Sequence, residues 1–136
     1  MNNKKYNILL VEDDEIDVMN VKRAFKKNSL PHTLHVTENG LEALSFLSST
    51  STIPQIILLD LNMPKMGGLE FLREIRQNEN LKKLSVFILT TSTNDRDKAT
   101  AYELNIAGYI VKPLELENFV QTIKTLESYW SLCEWL

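Results

Sequence analysis

The chain has 136 residues, a net charge of −3, 43% apolar and 24% charged residues. At ~150 residues per domain this length predicts one domain with a real hydrophobic core, and the unbiased composition excludes disordered and fibrous chains. The longest apolar runs, Ile8 to Val11 and Ile56 to Leu59, are far shorter than the ~20 residues of a membrane span.

Tyr6 to Val11 is an apolar, strand-like segment that ends in Glu12-Asp13-Asp14-Glu15. Ile16, Met19, Arg23 and Ala24 then follow at helical spacing. Asn28-Ser29-Leu30-Pro31 stops that helix, and His32 to Val36 predicts a second strand. Leu41, Leu44 and Leu47 mark a second helix, and the loop Ser48 to Thr52 leads to Ile56-Ile57-Leu58-Leu59-Asp60, the pattern of a strand buried on both faces. Pro64 and Gly67-Gly68 punctuate a turn before a third helix with Leu69, Leu72 and Ile75. Val86 to Leu89 predicts a fourth strand, ending in Thr90-Thr91. Asn94 or Asp95 caps a fourth helix carrying Ala99 and Tyr102, and Tyr109 to Val111 predicts a fifth strand closed by Lys112-Pro113. Leu116, Phe119, Val120, Ile123, Leu126 and Trp130 place a last, extended helix over about 115–136. Strands alternating with helices in this way predict an α/β fold, a parallel sheet with helices on both faces, in a single domain spanning 1–136.

Ligands of open parallel sheets bind outside the carboxyl ends of the strands. Here those ends carry Glu12 and Asp13, then Asp60, Thr90 and Lys112. Carboxylates brought together repel one another unless a cation neutralises them, and an all-oxygen set suits hard Mg²⁺. The chain has no phosphate loop after a strand, no dinucleotide fingerprint and no Gly-x-Ser-x-Gly elbow. What remains is a carboxylate beside a metal, with Lys112 and Thr90 able to meet phosphoryl oxygens, and an aspartate can itself become an aspartyl phosphate. Asp60 is the expected nucleophile. Asp14 is explained as a helix cap, and Glu15 and Asp17 as acids facing the positive end of a helix dipole.

These residues resemble the receiver domain of bacterial two-component response regulators. The resemblance rests on Leu9-Leu10-Val11-Glu12-Asp13-Asp14, Leu58-Leu59-Asp60-Leu61-Asn62-Met63-Pro64 with Gly67-Gly68, Ile88-Leu89-Thr90, and Gly108-Tyr109-Ile110-Val111-Lys112-Pro113. It covers roughly residues 6–127. It implies a flavodoxin-like five-stranded sheet of order 2-1-3-4-5 with five helices, and a signalling switch rather than an enzyme. By that resemblance Asp60 takes a phosphoryl group from a histidine kinase or phosphotransfer protein. Asp13 and Asp60 bind Mg²⁺ directly, Glu12 acts through water, and Asn62 adds its backbone carbonyl. Lys112 pairs with the phosphoryl oxygens, Thr90 and Tyr109 form the coupled switch, and the Lys112-Pro113 bond is cis. Glu12 stands where many members have Asp, and Thr91 where many have alanine or glycine. Phosphatases of the haloacid dehalogenase type share a nucleophilic Asp after a buried strand, but they resemble Asp-x-Asp, and position 62 here is Asn.

The start of the chain, with Lys4-Lys5 and no apolar stretch, predicts no signal peptide and a cytoplasmic location, which the lone Cys133 also fits. Without a basic stripe, direct nucleic-acid binding is not expected. His32 and His35, three apart in a predicted strand, are expected to face opposite sides and not to share a metal. Tyr129, Trp130, Leu132, Cys133, Trp135 and Leu136 make an aromatic-rich end that either folds back on its own domain or packs against a second copy. A receiver with no attached output domain is expected to act on a downstream protein, or to dimerise, through the last helix or the face of helix 4, strand 5 and helix 5. The resemblance extends to single-domain receivers paired with phytochrome-like kinases.

Overall fold

The runs Ile8 to Val11, Ile56 to Leu59 and Val86 to Leu89 are buried on both sides because each lies inside one parallel sheet. The structure, a computed structural model, describes residues 4–135. The elements are β1 (Asn7–Val11), α1 (Glu15–Lys27), β2 (Thr33–Thr37), α2 (Gly40–Ser49), β3 (Ile56–Leu59), α3 (Gly68–Arg76), β4 (Ser85–Thr90), α4 (Asp95–Glu103), β5 (Gly108–Val111) and α5 (Leu116–Leu132). The strands lie in the order β2-β1-β3-β4-β5, all parallel. This is the flavodoxin-like arrangement expected from the sequence.

Alternate residues of each strand serve opposite faces. Leu9, Val11, Ile57, Leu59, Val86 and Ile88 pack with Ala43 and Leu47 of α2, Phe71, Leu72 and Ile75 of α3, and Ala101 of α4. Ile8, Leu10, Ile56, Leu58, Phe87 and Leu89 pack with Val21, Ala24 and Phe25 of α1 and Phe119, Ile123, Leu126 and Trp130 of α5. A fully buried aliphatic or aromatic side chain of this kind contributes about 1.5–3 kcal/mol, so both helical layers are held by the same strands.

Local chemistry starts the helices where the sequence placed them. Asp14 caps α1, accepting from the N–H groups of Ile16 at 2.9 Å and Asp17 at 3.1 Å. Asn39 caps α2 and Asn94, rather than Asp95, caps α4.

Two ends differ from expectation. His32 lies before β2 instead of opening it, because its ring turns inward: Nδ1 accepts from the Tyr6 N–H at 3.0 Å and Nε2 meets the Glu127 carboxylate at 2.6 Å. The last helix stops at Leu132 instead of running on, and Leu136 lies outside the described residues. Cys133 turns to an extended conformation, which brings the Trp135 ring edge-on to Tyr6 at 5.6 Å and its Nε1–H to the Trp130 carbonyl at 3.3 Å. Trp130 is fully buried in its own domain and its carbonyl also accepts from the Tyr6 hydroxyl at 2.9 Å. Of the two dispositions open for the aromatic end, its tryptophans thus take the intramolecular one.

Candidate functional site

The sheet's own hydrogen bonding carries the acids to the rim. The Glu12 N–H donates to the Thr37 carbonyl at 2.9 Å and the Asp60 N–H to the Val11 carbonyl at 3.0 Å, so β1 and β3 are held one residue beyond their last paired positions. Asp60 is then fixed by its own loop: Oδ1 accepts from the Leu61 N–H at 2.9 Å. Glu12 Oε2 likewise accepts from the Asp14 N–H at 3.1 Å. Behind Asp60, α3 begins so close that a Cβ on Gly68 would stand 2.3 Å from the Asp60 carbonyl oxygen. Glycine is required there by close approach.

Among the described residues, Glu12, Asp13 and Asp60 form the one acidic group able to hold a metal ion, with one carboxylate oxygen of each within 4.8 Å of the others. Glu12 and Asp60 are buried and Asp13 is exposed. The donor set fits a hard divalent cation: it is all oxygen, it carries concentrated negative charge, and its exposed member leaves a side open to retained water. Burial pushes the Glu12 carboxyl up to about 7, against the Lys112 hydrogen bond and with the Asp60 charge adding to the rise.

Lys112 enters from the end of β5. Its N–H donates to the Thr90 carbonyl at 2.8 Å, extending the β4–β5 ladder. Its ammonium is hydrogen-bonded to Glu12 Oε1, lies 2.9 Å from Asp17 Oδ2, and stands 3.9 Å from Asp60 Oδ2. Burial alone would lower the Lys112 pKa, but the bonds to Glu12 and Asp17 and the Asp60 charge outweigh it and leave it raised. The ammonium therefore stays charged at neutral pH.

The expectation of a cis Lys112-Pro113 bond is corrected: no cis peptide occurs among the described residues. Lys112 reaches the acids from a trans bond because its backbone is already aimed by the Thr90 carbonyl and its long stem covers the remaining distance. Trans is also the lower-energy isomer by about 0.5–1 kcal/mol.

Thr90 is fully buried at the end of β4, and its Oγ1 accepts from the Ser92 N–H at 3.3 Å. Tyr109 is half-buried on β5 and its hydroxyl donates to the Ser92 carbonyl at 2.9 Å, with Lys98 Nζ 5.8 Å from the ring centre. The two residues are thus joined through one loop residue. Asn62 is exposed in the loop after Asp60. The histidines do not converge: His32 is taken by Tyr6 and Glu127, and His35 packs on Phe46 with ring centres 5.1 Å apart.

Asp17 is the residue that the reading of the sequence missed. A helix-start acid is satisfied by the dipole alone, so its type gave no signal; its position did. Asp17, Val21 and Ala24 stand at i, i+4 and i+7, and the last two are buried, so an acid heads the inward stripe of α1.

A family model described as "Response regulator receiver domain" matches residues 8–124. The chain is 40% identical over 128 residues to "Response regulator Rcp1" of Synechocystis sp., covering 90% of this chain and 87% of that protein. Among solved structures, it is similar to the phosphorylated cyanobacterial phytochrome response regulator RcpA, with a TM-score of 0.90 and 33% identity over 97% of this chain and 99% of that one. It is also similar to the Mn²⁺-bound form of response regulator Rcp1, with a TM-score of 0.85 and 38% identity over 95% of this chain and 96% of that one.

Proposed function

Because the chain belongs to the response regulator receiver domain family, we propose that it is a switch in two-component signalling that is set by phosphorylation of Asp60. The observation that carries this reading is the convergence of Glu12, Asp13 and Asp60 within 4.8 Å, with the Lys112 ammonium 3.9 Å from Asp60. A carboxylate nucleophile, a cation site and a fixed ammonium are what phosphoryl transfer asks of a protein: positioning and neutralisation of charge.

The donor is a phosphohistidine of a histidine kinase or phosphotransfer protein. An Asp60 carboxylate oxygen attacks the phosphorus, the N–P bond breaks, its electron pair leaves with the imidazole, and an acyl phosphate remains. Asp13, Asp60 and the Asn62 carbonyl would hold Mg²⁺, with Glu12 acting through water, and when bound the ion would supply electrostatic stabilisation of charge on the phosphoryl group. Lys112 pairs with a phosphoryl oxygen from the β5 side. Asp60 is buried, its N–H donating to the Val11 carbonyl and its Oδ1 accepting from the Leu61 N–H, which holds the nucleophile in place. Hydrolysis of the acyl phosphate resets the switch, and the protein is a phosphoacceptor rather than an enzyme acting on a separate substrate.

The output rests on Thr90 and Tyr109. Thr90 Oγ1 is bonded to the Ser92 N–H and the Tyr109 hydroxyl to the Ser92 carbonyl, so drawing Thr90 toward a phosphoryl group loosens the bond network that orients Tyr109. The face of α4, β5 and α5 then changes for a downstream protein or a second copy, a shift of an existing equilibrium. Relatives named for phytochrome signalling favour a phytochrome-like kinase as the partner. No helix among the described residues is long and apolar enough to cross a membrane, and we place the switch in the cytoplasm.

Incubation with acetyl phosphate, with and without Mg²⁺, followed by a phosphate-affinity gel and mass measurement in solution tests this. The expected result is a retarded band that needs Mg²⁺ and is lost in Asp60→Asn. A retarded band that persists in Asp60→Asn overturns the assignment of the acceptor. A rise in mass on phosphorylation makes dimerisation the output.

A further inference from the structure

Lys112 has more carboxylate partners than one ammonium needs. Glu12 holds it by a hydrogen bond inside the acid cluster, and Asp17 Oδ2 holds it at 2.9 Å from the side of α1, while Asp60 stands off at 3.9 Å. Two of these partners, Glu12 and Asp60, belong to the group that fits a divalent cation, and Asp17 does not. A cation entering that group competes with the ammonium for Glu12 and repels it at close range. An ammonium with a side chain only 9% exposed cannot simply turn to water. Asp17 is one-third exposed and its carboxylate already touches Lys112, so it offers the charge a partner that the cation leaves alone.

We propose that Asp17 is a positioning residue for Lys112, a second anchor that takes the ammonium as a divalent cation displaces it from Glu12. The inference rests on the reading of Glu12, Asp13 and Asp60 as a cation site. Asp17 is fitted to this task by its place in the chain: its own N–H is held by the Asp14 cap at 3.1 Å, and position 17 heads the stripe that faces inward. Glu15, two residues earlier, carries the same charge but is exposed and is not among the ion-pair partners of Lys112, which are Glu12, Asp17 and Asp60. With Asp17 in place, the cluster accepts a cation without leaving a buried ammonium unpaired, and Lys112 remains beside Asp60 for the phosphoryl group. Without it, Lys112 stays on Glu12 and opposes the cation.

The test is Mn²⁺ binding to the purified protein without a phosphodonor, followed by the electron paramagnetic resonance signal of the free ion. Asp17→Asn removes the anchor and keeps its shape, and Glu15→Gln removes an equal charge that does not touch Lys112. Asp17→Asn is expected to weaken Mn²⁺ binding roughly three- to ten-fold, the size of one interacting pair, and Glu15→Gln to change it much less. In a Lys112→Met background the effect of Asp17→Asn is expected to fall to that of Glu15→Gln. Equal effects of the two substitutions in the otherwise native chain, or an Asp17→Asn effect undiminished by Lys112→Met, overturn the anchor and leave the cation site standing. If the native protein takes up no Mn²⁺ at all, the cation reading fails and the anchor with it, whatever the two variants do.

Discussion

The hydroxyl of Tyr109 donates to the carbonyl of Ser92 at 2.9 Å, while the N–H of that same serine donates to Thr90. Two residues on neighbouring strands are thereby tied to opposite ends of one peptide-bearing residue in the β4–α4 loop. Removing the hydroxyl in Tyr109→Phe costs about 0.5–1.5 kcal/mol of stability, the net value of one hydrogen bond. Uptake of phosphate at Asp60 is expected to persist, and the response of the loop to it to shrink. Amide chemical shifts of Ser92 and Asn94, with and without acetyl phosphate, check this.

Glu12 gives the metal-free protein a pH dependence whose sign is fixed. Its carboxyl ionises near 4.5 in the unfolded chain and is held up to about 7 in the fold. Between these values the folded state binds the extra proton, so stability is greatest below about 4.5 from this group and is lost as pH rises through about 7, by an amount on the order of a few kcal/mol. Urea denaturation in chelator from pH 5.5 to 8.5 is expected to show this fall, and Glu12→Gln to abolish it. Added Mg²⁺ favours the carboxylate and flattens the slope.

At Gly68 the obstacle is backbone. A methyl group there would meet the Asp60 carbonyl oxygen at 2.3 Å and the Leu61 Cα at 2.9 Å, and neither can turn aside as a side chain would. Gly68→Ala is expected to cost about 1–3 kcal/mol and to slow acetyl phosphate uptake by displacing the acceptor loop. Gly108→Ala, whose added Cβ would lie 3.5 Å from the Phe87 ring, should leave uptake intact. Chemical denaturation and the phosphate-affinity gel together measure both.

His32 joins three parts of the chain. Its ring is stacked on Tyr6 at 4.5 Å, accepts from the Tyr6 N–H, and bonds Glu127 of α5. Glu127→Ala removes a hydrogen bond from the His32 ring to a carboxylate, worth about 1.5–3 kcal/mol. Hydrogen exchange is expected to speed up in the last turns of α5 more than in β3, while phosphorylation at the opposite rim stays unchanged.

The rim was legible because strand ends are marked twice, by an apolar run and by the polar residue that stops it. Glu12, Asp13, Asp60 and Lys112 could be assigned to one edge without knowing any distance. Helix-start acids carry no such mark, since Glu15 and Asp17 look alike until the buried line through Val21 and Ala24 is drawn. The stop at Leu132 was hidden for a different reason: no proline or glycine ends α5, and the reversal comes from Trp135 docking on Tyr6, a contact between residues at opposite ends of the chain. The isomer of the Lys112-Pro113 bond came from the family resemblance, and no contact of the side chain required it.

The docking of Trp135 beside Tyr6 has a practical geometric corollary. Lys4 Nζ reaches the Cys133 carbonyl at 3.2 Å and the Glu134 carboxylate at 3.4 Å, so Lys4 and the segment that follows α5 are neighbours at the edge where the strands begin. The cluster of Glu12, Asp13 and Asp60 lies where they finish. A fluorophore or surface tether joined beside Lys4 or Glu134 starts from the pole remote from Asp60. The exposed stretch 51–53, between α2 and β3, lies at the same pole, so a tether placed there also presents the rim of the molecule outward on a solid support.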